Sequence, residues 1–227
     1  LKELGLDSYD TYCEYIFNNP HPDEIGFLIN AIATHKTEFF REMGTFDFLS
    51  QGILPDLADA RGEPLEIWSA ACSSGEEPYS VAMLCQDGAI PHRILATDIS
   101  TDILEKALAA VYRREQLDQI PPEFHGRFLL FPRDSSRPVF RIAPAVRSSV
   151  RFRRLNLLNF DPPDQLCDVI LCRNVLIYFE PATRAAVIAR LSGSLRRGGY
   201  LLIGTSESLL GIETDLRSVA PGIYKKP

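Results

Sequence analysis

From Leu65 onward the chain alternates short apolar runs with helix-like segments, and no other feature limits the possible folds as much. The runs "LEIWSA", "RILATD", "DVILC" and "YLLIGT" are too short for core helices and too apolar for the surface. Between them lie "EEPYSVAMLCQ", "TDILEKALAAVY" and "PATRAAVIARLSGSL", which are helical in pattern. Ser100 stands where a helix cap is expected, Pro181 falls in a first turn, and Gly198 lies just beyond an end. Buried strands alternating with helices predict an α/β fold, a parallel sheet with helices on both faces and right-handed crossovers.

Two regions depart from this rhythm. Residues 1 to about 55 read as helices: "SYDTYCEYIF" puts Tyr9, Tyr12, Cys13 and Ile16 on one face, and "PDEIGFLINAIA" does the same with Ile25, Leu28, Ile29 and Ile32. "TEFFREMGTFDFL" is expected to be a third helix, interrupted or ended near Gly44, and the polar "DLADARGEP" marks a boundary. The second departure, placed at about residues 125 to 150, contains "RFLLF", "VFRIA" and "VRFRRL" joined by turn-rich links. It reads as a small antiparallel insert whose last run re-enters the main sheet. The domains expected are therefore 1–55 and 56–227, the second carrying the insert. The first residue is not Met, so an upstream segment of a longer chain is expected.

Composition narrows the function classes. With 227 residues, 45% of them hydrophobic, the chain can bury a substantial core. No apolar run approaches the ~18 residues that span a bilayer, and no secretory leader is visible. Five cysteines form no C-x-x-C pair and the four histidines do not cluster, so reduced thiols in a cytoplasmic protein without a metal site are expected. The net charge of −6 argues against general nucleic-acid binding. It is uneven, however. Residues 133 to 154 hold seven arginines and one acid, a local +6 against −12 for the remainder. On a strand, Arg151 and Arg153 share one face. That stripe is either a solvated face of the insert or a surface for an acidic partner.

The loop "SAACSSGEEPYS", residues 69 to 80, follows the first strand, where an open parallel sheet binds its ligand. A dinucleotide site would carry G-x-G-x-x-G there, yet only Gly75 remains. Glu76 and Glu77 open the next helix and would repel a pyrophosphate, but they suit an ammonium group. Asp98 ends the next strand, 23 residues after Gly75, where an acid can accept hydrogen bonds from both ribose hydroxyls. A ribose, an ammonium and no phosphate describe S-adenosylmethionine (SAM), which this spacing favours over NAD. A tight turn, solvated glutamates and a capping aspartate would explain each acid singly, but not their joint placement at two strand ends.

The segments "IWSAACSSGEEPYSVAM", "FFRE", "LATDIS", "LNLL", "LCRNVLIYF" and "IGTSESL" together resemble the CheR-type chemotaxis receptor methyltransferases, which are protein-glutamate O-methyltransferases. The resemblance runs from about Tyr9 to Tyr224. It implies a Rossmann-like class I SAM-dependent methyltransferase sheet, a small β-subdomain insert and a helical N-terminal domain. It also implies a cytoplasmic enzyme using SAM, with S-adenosylhomocysteine (SAH) as product, and the cytoplasmic helical domain of a chemoreceptor as partner. A monomer without membrane insertion or nucleic acid is expected. The same chemistry in a non-motility pathway, or SAM binding without turnover, are the alternatives.

The family motif T-N-x-T-x-F-F-R matches "THKTEFFR" at Thr37 and Arg41, with His35 in place of Asn. The resemblance gives the methionine part to Glu76 or Glu77, the ribose to Asp98 and the flanks of the adenine to Asn156 and Leu157. It brings Ala71, Ser73, Gly75, Ile99, Arg173, Asn174 and Val175 into the cofactor set. Arg41, Arg173 and Tyr178 are placed around the transferring methyl. Read without the resemblance, a charge beside the buried run "DVILC" needs a partner or a job, which for Arg173 favours function over a structural ion pair. For Tyr178 alone, core packing is favoured. The insert loop "FPRDSSRP" lacks the glycines with which some relatives bind a receptor tail, so tail docking is not expected.

Overall fold

A computed structural model describes residues 4–18, 22–32, 36–134 and 136–227. The chain begins with helices α1 (Tyr9–Asn18), α2 (Pro22–Ile32), α3 (Met43–Phe48) and α4 (Leu54–Arg61). The alternating part follows: β1 (Leu65–Ser69), α5 (Glu76–Asp87), β2 (His92–Asp98), α6 (Thr101–Ala109) and β3 (Val111–Arg113). Next come α7 (Pro122–Phe128), β4 (Leu129–Leu130), β5 (Val139–Ile142), α8 (Pro144–Arg147) and β6 (Val150–Arg154). The chain closes with β7 (Cys167–Leu171), α9 (Pro181–Ser194), β8 (Leu195–Leu202), β9 (Arg217–Ala220) and β10 (Ile223–Lys225). Among the described residues, no helix is long and apolar enough to cross a membrane.

The main sheet has seven strands in the order β6-β2-β1-β7-β8-β10-β9. Strands β6, β2, β1, β7 and β8 run parallel, and β10 returns antiparallel against β8. Chain order reverses at β1, which pairs β2 on one side and β7 on the other. This is the switch point where an open sheet forms its crevice. Alternate residues of each strand enter two separate apolar clusters. Ile67, Val169 and Leu202 face one, and Trp68, Ile170 and Leu201 face the other. A sheet buried on both faces explains why these runs are continuously apolar. This is the parallel α/β sheet expected from the alternation, and Ser100 caps α6 by accepting from the Ile103 N–H at 3.3 Å.

Four local expectations change. "TEFFRE" is not helical, because Phe40 (φ 51°) and Glu42 (φ 63°) adopt left-handed backbone, and the helix begins at Met43 rather than ending near there. Burial holds this turn in place: Phe39 and Phe40 are 2% and 3% exposed, and the Phe40 N–H donates to Ser80 Oγ at 3.1 Å. "DLADAR" lies in the helix α4, stopped by Gly62 at φ 66°, and Phe39, Phe40, Phe46, Leu49, Ile53 and Leu54 bury into the same core as the sheet. The small sheet, ordered β3-β5-β4, starts at Val111, earlier than the expected 125, because Ala110 at φ 52° ends α6 and turns the chain outward. Arg151 and Arg153 are exposed on β6, the edge strand by which the last run re-enters the main sheet as expected, so their stripe is not a face of the insert.

Candidate active site

A cavity of about 410 Å³ opens beyond the C-terminal ends of β1, β2, β6 and β7. The N-terminal segment, residues 36 to 41, lies across it. Thr37, Arg41, Ala71, Ser73, Glu77, Asp98 and Ile99 line it. Asn156, Leu157, Arg173, Asn174, Val175 and Tyr178 complete the sequence-derived set found there. His35 lies outside the described residues.

Gly75 and Glu76 do not reach the cavity. At Gly75 (φ 94°) an added Cβ would sit 3.0 Å from both the Ala107 Cβ and the Tyr112 hydroxyl, so this glycine lets the loop pack against α6 and β3. Glu76 is 3% exposed and turns away from the cavity, accepting from Ser74 Oγ at 2.6 Å and Gln116 Nε2 at 3.1 Å. Burial pushes its carboxyl above the ordinary range, against the pull of these donors. A carboxyl raised in the folded state loses stability as pH climbs from its unfolded value of ~4.3 through its folded value. Glu76→Gln is therefore expected to raise the melting temperature at pH 7, with no gain below pH ~4, as measured by thermal melts at both pH values.

Asp98 is braced by backbone. Its Oδ2 accepts from the Ser73 N–H at 2.9 Å and its Oδ1 from the Ser100 N–H at 3.1 Å. Each oxygen keeps a second lone pair for a ligand. Ser73 holds left-handed backbone (φ 49°), and its buried hydroxyl has no partner among the described residues. Glu77 accepts from Ser69 Oγ at 2.7 Å and pairs with Arg173 Nη1 at 3.2 Å.

Arg173 occupies the wall of the cavity, with its side chain 2% exposed. Its Nη2 meets Glu42 Oε2 at 3.0 Å and donates to the Arg41 carbonyl at 2.6 Å, and its guanidinium lies 5.4 Å from the Phe46 ring centre. The guanidinium's charge is thus met by two carboxylates, so Arg173 stands in a structural ion pair. Arg41 differs: among the described residues its guanidinium donates, through Nη1, only to the Lys36 carbonyl, at 2.8 Å, and the side chain borders the cavity. Tyr178 is 60% exposed at the cavity's edge, so packing in the core does not account for it.

Lys36, Glu38, Leu155, Leu158 and Phe179 also line the cavity and were missed. Two acids that shape its wall were missed as well. Glu207 accepts from the backbone N–H groups of Gly204 (2.7 Å), Asn174 (2.8 Å) and Ile177 (3.2 Å). Glu42 joins Arg173, Asn174 and Thr205. Burial pushes the Glu42 carboxyl up, but the Thr205 N–H, the Arg173 guanidinium and the Asn174 amide outweigh it and hold it below the ordinary range. The sequence signal for Glu42 is its place directly after Arg41 in "FFRE".

Residues 35–223 match the family described as CheR methyltransferase, SAM binding domain. The chain belongs to that family. It is 34% identical to a chemotaxis protein methyltransferase of Borreliella burgdorferi, over 100% of this chain and 82% of that one. A chemotaxis protein methyltransferase of Escherichia coli K12 is 36% identical over 94% of this chain and 74% of its own length. One from Listeria monocytogenes is 41% identical over 81% and 69%. This CheR-family chain is a SAM-dependent methyltransferase, and its cavity fits the cofactor. The partnerless Ser73 hydroxyl, the open lone pairs of Asp98 and the apolar Ile99 and Leu157 supply donors, acceptors and a dry slot in one space.

Proposed function

We propose that this chain methylates glutamate side-chain carboxylates of a chemoreceptor, forming methyl esters. The observation that carries the reading is one cavity in which acids suited to a cationic cofactor (Glu77 and Asp98) share walls with an exposed tyrosine and an arginine with no acidic partner among the described residues. Asp98 would hold the ribose, Glu77 and Asn174 the amino-acid end, and Asn156, Leu157 and Ile99 the adenine. Bound SAM supplies an electrophilic methyl on a positively charged sulfur.

The chain's own task is placement. A glutamate carboxylate, with an unperturbed pKa of ~4.3, is already an anion at pH 7, so no general base is needed. Arg41 draws that anion toward the cavity, and Tyr178 offers a hydroxyl to orient one oxygen. Holding the reacting oxygen in line, at near-attack distance, is worth several powers of ten in rate. The segment 36–41, with the helices up to about residue 55, acts as the roof of the site, and residues 56–227 supply its floor.

Arg41→Ala is expected to lower the rate of methyl transfer by roughly 100-fold while SAH affinity changes less than about threefold, because the lost interaction belongs to the incoming carboxylate. Purified protein with labelled SAM and receptor membranes, assayed for base-labile methyl ester, tests the function itself. Absence of ester on every receptor tried, with SAH still bound, would make the chain a SAM-binding regulator instead.

A further inference from the structure

Glu42 has no role in the scheme above, yet it joins three chain segments at the cavity wall. It sits in left-handed backbone (φ 63°) on the roof segment. Its Oε2 meets Arg173 Nη2 at 3.0 Å and accepts from the Thr205 N–H at 3.0 Å. Its Oε1 accepts from Asn174 Nδ2 at 3.3 Å. Asn174 is itself left-handed (φ 56°), and its backbone N–H donates to Glu207 Oε2 at 2.8 Å. Gly204 presses from another side, since a Cβ there would fall 2.6 Å from Asn174 Nδ2.

A side-chain amide can present either its oxygen or its nitrogen, and only its partners decide which. A carboxylate accepts and cannot donate, so Glu42 fixes the Asn174 nitrogen toward itself. The Asn174 oxygen has no partner among the described residues and is not among their buried partnerless atoms, while the residue lines the cavity. That oxygen is therefore the atom offered to a ligand, and it suits a hydrogen-bond donor.

We propose that Glu42 is a positioning residue that sets the polarity of the Asn174 amide, so that the site presents an acceptor to the ammonium group of the cofactor. This rests on the cofactor placement given above. Glu42 touches no reacting atom; besides its structural pairing with Arg173, its effect on the cofactor passes through Asn174.

The test compares two ligands by calorimetry: SAH, which carries the ammonium, and 5′-methylthioadenosine, which keeps the nucleoside and lacks the amino-acid end. In E42Q the glutamine can offer either atom to Asn174, so the orientation is no longer imposed. SAH binding is expected to weaken roughly tenfold, while methylthioadenosine binding stays within about twofold. N174A should lose SAH selectively in the same way, and E42Q/N174A should bind SAH no worse than N174A alone. Equal weakening of both ligands in E42Q, or losses that add in the double variant, would reduce Glu42 to a structural brace and overturn the proposal. A parent protein that binds neither ligand would overturn the cofactor placement itself, an outcome distinct from a parent that discriminates and an E42Q variant that discriminates equally.

Discussion

Arg173→Ala is expected to be the most damaging single substitution in the cavity wall, lowering the unfolding free energy by about 3–5 kcal/mol. The guanidinium is almost wholly buried and meets Glu77 at 3.2 Å, Glu42 at 3.0 Å and the Arg41 carbonyl at 2.6 Å. Removing it leaves two carboxylates in a poorly hydrated place without their counter-charge, and that desolvation cost, more than the lost attraction, sets the size of the effect. In a chain of this length the melting temperature should fall by roughly 10 °C, as read by a thermal melt. Arg173→Lys keeps the charge but not the planar fork, and should fall between. Arg173→Met combined with Glu42→Gln and Glu77→Gln removes all three charges and should recover much of the loss. A shift below about 2 °C for Arg173→Ala would mean that the ion pair does not hold the wall together.

The same ion pair fixes the sign of a pH effect. Glu42 is held below the ordinary carboxyl range in the folded state. Its contribution to stability is complete above the unfolded value of ~4.3 and disappears as pH falls through the lower folded value. In Arg173→Ala, part of what holds that carboxyl down is gone, so this portion of the acid-side loss should shrink.

Asp98→Ala is expected to weaken SAH binding roughly 100-fold, measured by calorimetry. An ionised acceptor bonded to two hydroxyls is worth about 1.5–3 kcal/mol per bond, and ~1.4 kcal/mol is tenfold in affinity. The carboxylate also accepts from the Ser73 and Ser100 N–H groups, so its removal loosens the loop that carries the partnerless Ser73 hydroxyl. Asp98→Asn retains one acceptor and should lose closer to tenfold. Unchanged SAH affinity in Asp98→Ala would remove the ribose from this strand end and reopen the question of which ligand the loop holds.

Periodicity alone determined the parallel sheet, because strands buried on both faces must be continuously apolar and the helices between them must carry one apolar stripe. It also located the ligand end of the sheet, since the loop after β1 and the acid at the end of β2 are separated by a fixed βαβ geometry. Thirteen of the fifteen expected site residues other than His35, most of them given by the family resemblance rather than by periodicity, line that one cavity. Gly75 and Glu76 fell outside it because sequence places a residue at a helix start without saying which way it faces, and the rotation of roughly 100° between the consecutive Glu76 and Glu77 sends one behind the loop and the other into the cavity. The left-handed turn at Phe40 and Glu42, the strand Val111–Arg113 and the ion pairing of Arg173 were decided only by tertiary structure. The turn overrides local helix preference because two phenylalanines are buried by it. The partners of Arg173 lie 96 and 131 residues away in the chain, and a charge's role depends on what burial brings beside it rather than on its own identity.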